Sequence, residues 1–232
     1  MPTGKEIVKV ALEHLGEPYL LGALAPKNDP HWDGPWDCAE FVSWCVYQVA
    51  GVLYGCEDNR GDPARADAYT GFWGRDARTL GKQISVAQAA NIAGAAVLRL
   101  GTKIGHIVIS DGRGGTVEAH STGTGVIRHT LSDRRWDMGI LVPGIRYEEG
   151  GVHPDISPAV VIYRLTDPLM RGDTVRMIQQ NLKDQGFNPG IVDGIYGPKT
   201  FNAVLAFQQA CGLVADGEVG PQTARALGVI LR

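Results

Sequence analysis

The sequence predicts an α+β fold followed by a second, smaller all-helical domain. Three observations carry this. Apolar residues recur at helical spacing over the first fifty positions. From about residue 95 they give way to short β-branched runs separated by glycine turns. Near the C-terminus an eight-residue pattern occurs twice. Helices first and strands second suit an α+β domain better than a doubly wound sheet.

The first helix opens at Thr3, where Thr3 and Glu6 have the spacing of a capping box. Ile7, Val8, Ala11, Leu12 and Leu15 supply its apolar stripe, and Gly16 stops it. Residues 17–36 contain four prolines and read as irregular. A second helix is expected from Asp37 to Ala50, with Asp37 and Glu40 as another capping box and Gly51 as its stop. Asp62-Pro63 predicts a shorter helix with proline at its first position, and Ser85 with Gln88 predicts one more.

Strands are expected at Ala95–Leu100, His106–Ser110, Thr116–Ser121, Val126–Thr130 and Gly139–Val142, joined as an antiparallel meander. Pro143 to Thr166 is a composition break, with a short extended piece at Ala159–Tyr163. Beyond it, Asp193-Gly-Ile-Tyr-Gly-Pro-Lys-Thr200 returns as Asp216-Gly-Glu-Val-Gly-Pro-Gln-Thr223, 23 residues later. Each copy reads as an Asp-Gly turn and a Gly-Pro helix entry. Val175, Ile178, Leu205 and Phe207 are the expected core of the helices around them. The organisation expected is a first domain at 1–145, a linker at 146–166 and a helical module at 167–232.

Composition excludes several classes. Glycine is 31 of 232 residues, about twice the usual share, without the three-residue period of collagen. The net charge of −3 and the lack of a basic stripe argue against a nucleic-acid partner. No apolar run approaches the ~18 residues of a membrane span, so membrane insertion is not expected. Lys5, Glu6, Lys9 and Glu13 interrupt the N-terminus, which therefore lacks the pattern of a signal peptide. The four cysteines, at 38, 45, 56 and 211, are too sparse for a disulfide scaffold and form no C-x-x-C pair. A bridge between Cys45 and Cys56 stays open at this point. Six histidines in no zinc-ligand spacing make a metal site unexpected.

Cys38 stands apart from the other thiols. Behind the N-cap Asp37 it falls in the first helical turn, where free N–H groups and the helix dipole favour an anion. A thiol there is expected to have a lowered pKa and to be nucleophilic, with the same N–H groups ready for an oxyanion. His106, at a strand start beside Gly105, is the candidate base. Glu118 and His120 share one face of the following strand, so either can orient its second nitrogen.

Gly-Glu-Pro-Tyr19, Asp37-Cys-Ala-Glu-Phe-Val42, Gly105-His-Ile-Val-Ile109 and Val117-Glu-Ala119 occur in the order found in NlpC-type cell-wall peptidases, and residues 3–145 resemble that family. The resemblance implies a papain-like fold. It implies Cys38 as nucleophile, His106 as base and Tyr19 as the active-site tyrosine. The family usually has a small residue where Glu40 stands, a shorter stretch between tyrosine and cysteine, and a histidine at the third position. A carboxylate there, and the Pro-Trp-Asp-Cys context, are similar to the related CHAP amidases.

Residues 168–230 resemble the helical peptidoglycan-binding domain of bacterial and phage hydrolases, through both repeats and Ala203-Val-Leu-Ala-Phe-Gln208. Together the resemblances imply a monomeric peptidoglycan hydrolase, endolysin-like, without a cofactor. It would cut a stem-peptide amide, D-γ-glutamyl to meso-diaminopimelate in the first instance. The alternatives are a CHAP-like cut between muramic acid and L-alanine, or a wall-binding structural module without activity. The expected place of action is the bacterial cell wall, reached from the cytoplasm by a holin-type or other non-classical route. Asp37, Trp36 and Trp73, with Trp32, are expected to line the substrate groove, and Tyr196 and Gln208 to meet the polymer in the second domain.

Overall fold

A computed structural model describes residues 1–101, 105–132, 134–148 and 161–231. The chain divides into two compact units, the first taking in residues 1–132 and 136–156, the second 157–232 with 133–135. No described helix is long and apolar enough to cross a membrane.

The first unit is α+β. Helix α1 (Gly4–Glu13) starts on the Thr3/Glu6 capping box, with both reciprocal bonds made. Helix α2 (Cys38–Ala50) has Asp37 as N-cap and Gly51 in the left-handed conformation at its end. Helix α3 (Thr70–Thr79) precedes strand β1 (Lys82–Ile84) and the one-turn helix α4 (Val86–Ala89), which sits on the Ser85/Gln88 capping box. Neither α3 nor β1 was expected from the sequence. The helix expected at Asp62-Pro63 is a turn instead. The Asp62 carboxylate accepts from Ala64 N–H and the Pro63 carbonyl from Lys27 N–H, so no helical ladder propagates.

The expected strands are present as β2 (Ala93–Arg99), β3 (His106–Asp111), β4 (Gly115–Ser121), β5 (Gly125–Thr130) and β6 (Met138–Leu141). Their order in the sheet is β1-β6-β2-β3-β4-β5, antiparallel throughout. Thus β2 to β5 form the meander, while β6 returns to the far side of β2. One face carries Ala96, Leu98, Ile107, Ile109, Val117 and Ala119 into a core shared with Ile7, Phe41, Val42 and Cys45 of α1 and α2. The other face carries Val97 and Val108 into a smaller core with Ala89, Ile92 and Leu131.

The expected capping box on α2 does not form. Asp37 caps Ala39 N–H, but Glu40 does not return to the cap. Its carboxylate is fully buried and accepts from Lys27 Nζ, Ala25 N–H and Ala68 N–H. Lys27 also donates to the Ala66 carbonyl. Burial pushes the Glu40 carboxyl up, against the pull of Lys27 and the hydrogen bonds it accepts. All four cysteines are free thiols, so Cys45 and Cys56 are not bridged.

The second unit contains helices α5 (Asp173–Asp184), α6 (Pro198–Ala210) and α7 (Pro221–Leu227). Both α6 and α7 enter on a Gly-Pro pair with proline in the first turn. Val175, Ile178, Val204 and Phe207 are fully buried, and Leu205 packs against them partly buried.

A buried glutamine organises each copy of the repeat. Gln179 Nε2 donates to Asp193 Oδ1, the Ile195 carbonyl and Thr200 Oγ1, while its Oε1 accepts from Gly194 N–H. Gln208 does the same with Asp216, the Glu218 carbonyl, Thr223 and Gly217 N–H. Gly217 has φ +68°, and a Cβ there would collide with the Phe201 ring. Tyr196 joins the copies, donating its hydroxyl to the Gly217 carbonyl at 2.9 Å.

Of the expected linker, Arg146 pairs with Thr3, the Tyr147 hydroxyl accepts from Val142 N–H, and Tyr163 pairs with Val219. Residues 149–160 of that segment, including Ala159 and Val160, lie outside the described residues.

Removing one member of a buried ion pair typically costs about 3–5 kcal/mol, whereas replacing both with apolar groups costs far less. Lys27→Met and Glu40→Leu should each lower the stability of the first unit by about that amount in urea unfolding, and the double variant by less than their sum. Gln208→Leu strips partners from several buried polar groups. It should destabilise the second unit by about 2–4 kcal/mol while leaving the first transition in place.

Candidate active site

Cys38 is the first residue of α2, and the local sequence explains why. Asp37 ends an extended segment, its Oδ1 takes Ala39 N–H at 2.9 Å, and its Oδ2 takes Gly22 N–H at 3.1 Å. The nucleophile candidate is thus fixed by a cap that also holds the preceding loop. Tyr19 sits in that neighbourhood too, paired through its backbone with Trp36 and close enough to feel the Cys38 sulfur.

On the sheet, β3 and β4 pair at Ser110–Thr116 and Ile109–Val117. Continuing the same register would match Val108 with Glu118, Ile107 with Ala119 and His106 with His120. The ladder stops short of those pairs. The Ile107 N–H there favours charge on the Cys38 sulfur. The helix start therefore meets the sheet at the end of β3 where His106 stands.

Glycine before His106 has a steric reason. A Cβ at Gly105 would collide with the Thr70 side chain and the Arg99 carbonyl.

His106 and Glu118 are both buried, with Nε2 and Oε2 2.6 Å apart. Thr116 Oγ1 donates to the other carboxylate oxygen at 2.6 Å. This is a diagonal cross-strand contact on one face of the sheet. Trp136 stacks on the His106 ring with centroids 6.1 Å apart. His120 is turned elsewhere. Its Nδ1 meets Thr124 Oγ1 at 2.8 Å, it stacks on His129, and its ring lies edge-on to His106 at 6.4 Å.

The thiol differs from expectation. Burial, and then the Asp37 carboxylate, push Cys38 well above the usual thiol range. The N–H groups of Ile107 and Ala39 and the charge of Arg99 pull the other way and are outweighed. A helix N-terminus alone does not produce a thiolate when the sulfur is taken out of water. Burial, with Cys38 and Asp37, likewise pushes the Tyr19 phenol upward, so it stays a hydroxyl and a donor.

Four expected substrate contacts are overturned. Trp36 is buried between α1 and α2, edge-on to Trp44 and Phe41 at 5.2 and 5.3 Å, with Nε1 donating to Glu17. Trp73 is buried against Tyr54 and donates to Ser43 Oγ. Tyr196 and Gln208 are core residues of the second unit, for the reasons given above. Trp32 is partly buried against the main core. Asp37 remains at the site, as the cap of the cysteine helix.

Sequence reasoning missed three residues near the histidine: Arg99, Thr116 and Trp136. Period-two alternation puts Thr116 on the face of Glu118 and was a usable signal. Trp136 follows two arginines outside any strand, and Arg99 ends an apolar strand. Neither carries a local pattern. Among the described residues no group of histidine, cysteine and carboxylates is arranged to hold a metal.

Fold and site together define a two-unit chain, an α+β domain with a buried His106–Glu118 pair and a small helical repeat module. Residues 171–227, which hold both copies of the repeat, match the family model described as a putative peptidoglycan binding domain. Among curated proteins, the chain is 42% identical over 69 residues to the N-acetylmuramoyl-L-alanine amidase CwlM of Mycobacterium tuberculosis, which covers 30% of this chain and 17% of that protein. It is 44% identical over 77 residues to the N-acetylmuramoyl-L-alanine amidase CwlL of Bacillus licheniformis, covering 31% and 21%. The chain thus spans about a fifth of the length of these relatives. Among solved structures, it is similar to the NlpC/p60 domain of the peptidoglycan hydrolase SagA, with a TM-score of 0.43, 23% identity and coverage of 60% of this chain and 99% of that one. The P60 domain of antigen MAP1204 from M. avium subspecies paratuberculosis gives a TM-score of 0.42 and 17% identity over 60% and 93%.

Asparagine caps a helix as well as aspartate does but carries no charge. Asp37→Asn should therefore keep α2 intact and lower the pH at which Cys38 becomes reactive. Alkylation of Cys38 followed by peptide mass spectrometry across a pH series would measure it.

Proposed function

We propose that the chain is a peptidoglycan hydrolase. Its first unit cleaves an amide of the stem peptide through Cys38, and its second unit holds the wall polymer. The observation that carries this reading is the buried 2.6 Å His106–Glu118 contact, next to Ile107, which shares a core with Cys38. The match of residues 171–227 supports peptidoglycan as the partner.

The geometry suggests how such a site works. With Nε2 engaged by Glu118, Nδ1 is the ring nitrogen that takes the thiol proton. Because burial keeps the sulfur protonated at rest, transfer accompanies attack on the carbonyl carbon. The oxyanion meets the Cys38 N–H at the helix start and the Tyr19 hydroxyl. The imidazolium then protonates the departing amine, leaving an acyl thioester. Water gives a proton to the same nitrogen, attacks the thioester and frees the acid. Glu118, steadied by Thr116, orients the ring and stabilises its charged form. His120 bonds Thr124 and stacks on His129, and is the weaker choice for that role.

The favoured bond is D-γ-glutamyl to meso-diaminopimelate, which rests on the NlpC-type motifs around Tyr19, Cys38 and His106. A wall-binding second unit tethers the first to its polymer and raises its local concentration there. The place of action is accordingly the cell wall.

Incubation with purified sacculi, followed by mass spectrometry of the new ends, tests the reading. Newly exposed diaminopimelate amines are expected. New L-alanine amines would mean the amidase cut. Intact walls that nevertheless bind the protein would mean a binding module. Cys38→Ala should abolish release and retain binding. Glu118→Gln should lower turnover by about 10²-fold or more, whereas His120→Gln should leave most of it.

A further inference from the structure

An imidazole that moves protons needs one orientation, and its own torsion does not supply it. The ring of a histidine turns about the bond to its Cβ with a broad, roughly two-fold preference. At His106 the Glu118 carboxylate holds Nε2 at 2.6 Å, and the His120 ring lies edge-on with centroids 6.4 Å apart. Trp136 covers a face of the same ring. The two are stacked, 30° from parallel, with centroids 6.1 Å apart. That separation falls in the range of about 4.5–7 Å preferred by aromatic pairs.

Trp136 stands outside any strand, yet it is anchored on both sides. Its Nε1 donates to the Leu131 carbonyl at 3.0 Å. The next residue, Asp137, donates its N–H to the Leu98 carbonyl at 2.9 Å and takes Leu100 N–H on its carboxylate at 2.7 Å. The indole packs against the smaller core, which contains Val97, Val108 and Leu131. Alternation puts His106 on the face of β3 that carries Val108. His106 is 3% exposed, whereas Trp136 is partly exposed. The indole is therefore the outer cover of a buried ring.

We propose that Trp136 is a positioning residue for His106: its flat face keeps the imidazole turned with Nε2 toward Glu118 and keeps water from that bond, so that Nδ1 is presented for proton transfer. This rests on the reading of His106 as the base. A carboxylate accepts and does not donate, so Nε2 carries the proton in this contact and Nδ1 the lone pair. A ring turned over would place carbon where the proton acceptor belongs. A flat aromatic surface opposes that turn, because rotation drives the edge of the imidazole into it. Keeping water out also strengthens the bond to Glu118. Tryptophan suits the task. It supplies a large rigid surface, and its one polar group is answered by Leu131.

The test compares wild type with Trp136→Phe, Trp136→Leu and Trp136→Met, each first checked by urea unfolding. Phenylalanine keeps a flat ring. Leucine and methionine keep apolar volume alone, and all three lack the indole N–H. Turnover is measured on soluble muropeptides prepared from sacculi with a muramidase. Trp136→Leu and Trp136→Met should lower kcat by about tenfold or more and change KM by less than about twofold, and Trp136→Phe should restore most of the loss. The second readout is the His106 Nε2–H proton, seen by NMR in protein made with isotope-labelled histidine and identified by its absence from His106→Gln. A ring N–H open to water exchanges too fast to be observed, so the signal reports shielding. It should be present in wild type and Trp136→Phe and lost in Trp136→Leu and Trp136→Met. A signal and a kcat that persist in the two non-aromatic variants would overturn the proposal, as would equal losses in Trp136→Phe. Wild-type turnover by His106→Gln would instead refute the base assignment, while the N–H signal still decides the shielding.

Discussion

The first unit depends on a carboxylate where no solvent reaches. Glu40 lies one turn inside the helix that begins with Cys38, and it gathers Lys27 and the N–H groups of residues 25 and 68. These partners come from two irregular stretches that have no regular ladder of their own. Such backbone is tolerated in an interior only when its polar groups are answered. Glu40 and Lys27 answer several at once. The acid is the group to which the long stretch before Cys38 is tied.

The same economy governs the site. Helix α2 packs on strand β3, and Cys38 and Ile107 share one core. Cysteine comes from the helix and histidine from the sheet. Neither depends on the other for its position, because Asp37 fixes one and Glu118 with Thr116 the other. Trp136 closes over the imidazole. The environment that results is dry, which strengthens each electrostatic contact and raises the cost of charging the thiol.

The parts of this structure that were legible in the sequence were those written locally. The capping boxes at Thr3 and Ser85, the alternation in β2 to β5 and the Asp-Gly and Gly-Pro signals all lie within a few residues. So did the face shared by Glu118 and His120, though not which of them bends toward His106. What failed was non-local. Glu40 has the spacing of a capping partner, yet Lys27 and two distant N–H groups outbid the nearby one. Trp36 and Trp73 have the chemistry of groove residues but stand where three elements converge, and large aromatic rings fill such places best. Gln208 looked like an exposed polar residue on an amphipathic helix. Only the fold reveals a loop that needs its amide.

That last residue has a wider consequence. In each copy of the repeat, the turn is held from beneath by an amide on the preceding helix, through backbone groups and the Asp and Thr that open and close the motif. Between them the exposed Lys199 side chain of the first copy is outside this support. Form and surface are thereby uncoupled. Mutation can rewrite the outer letters while the turn keeps its shape, so a module of this kind can change what it recognises without first having to solve its folding again.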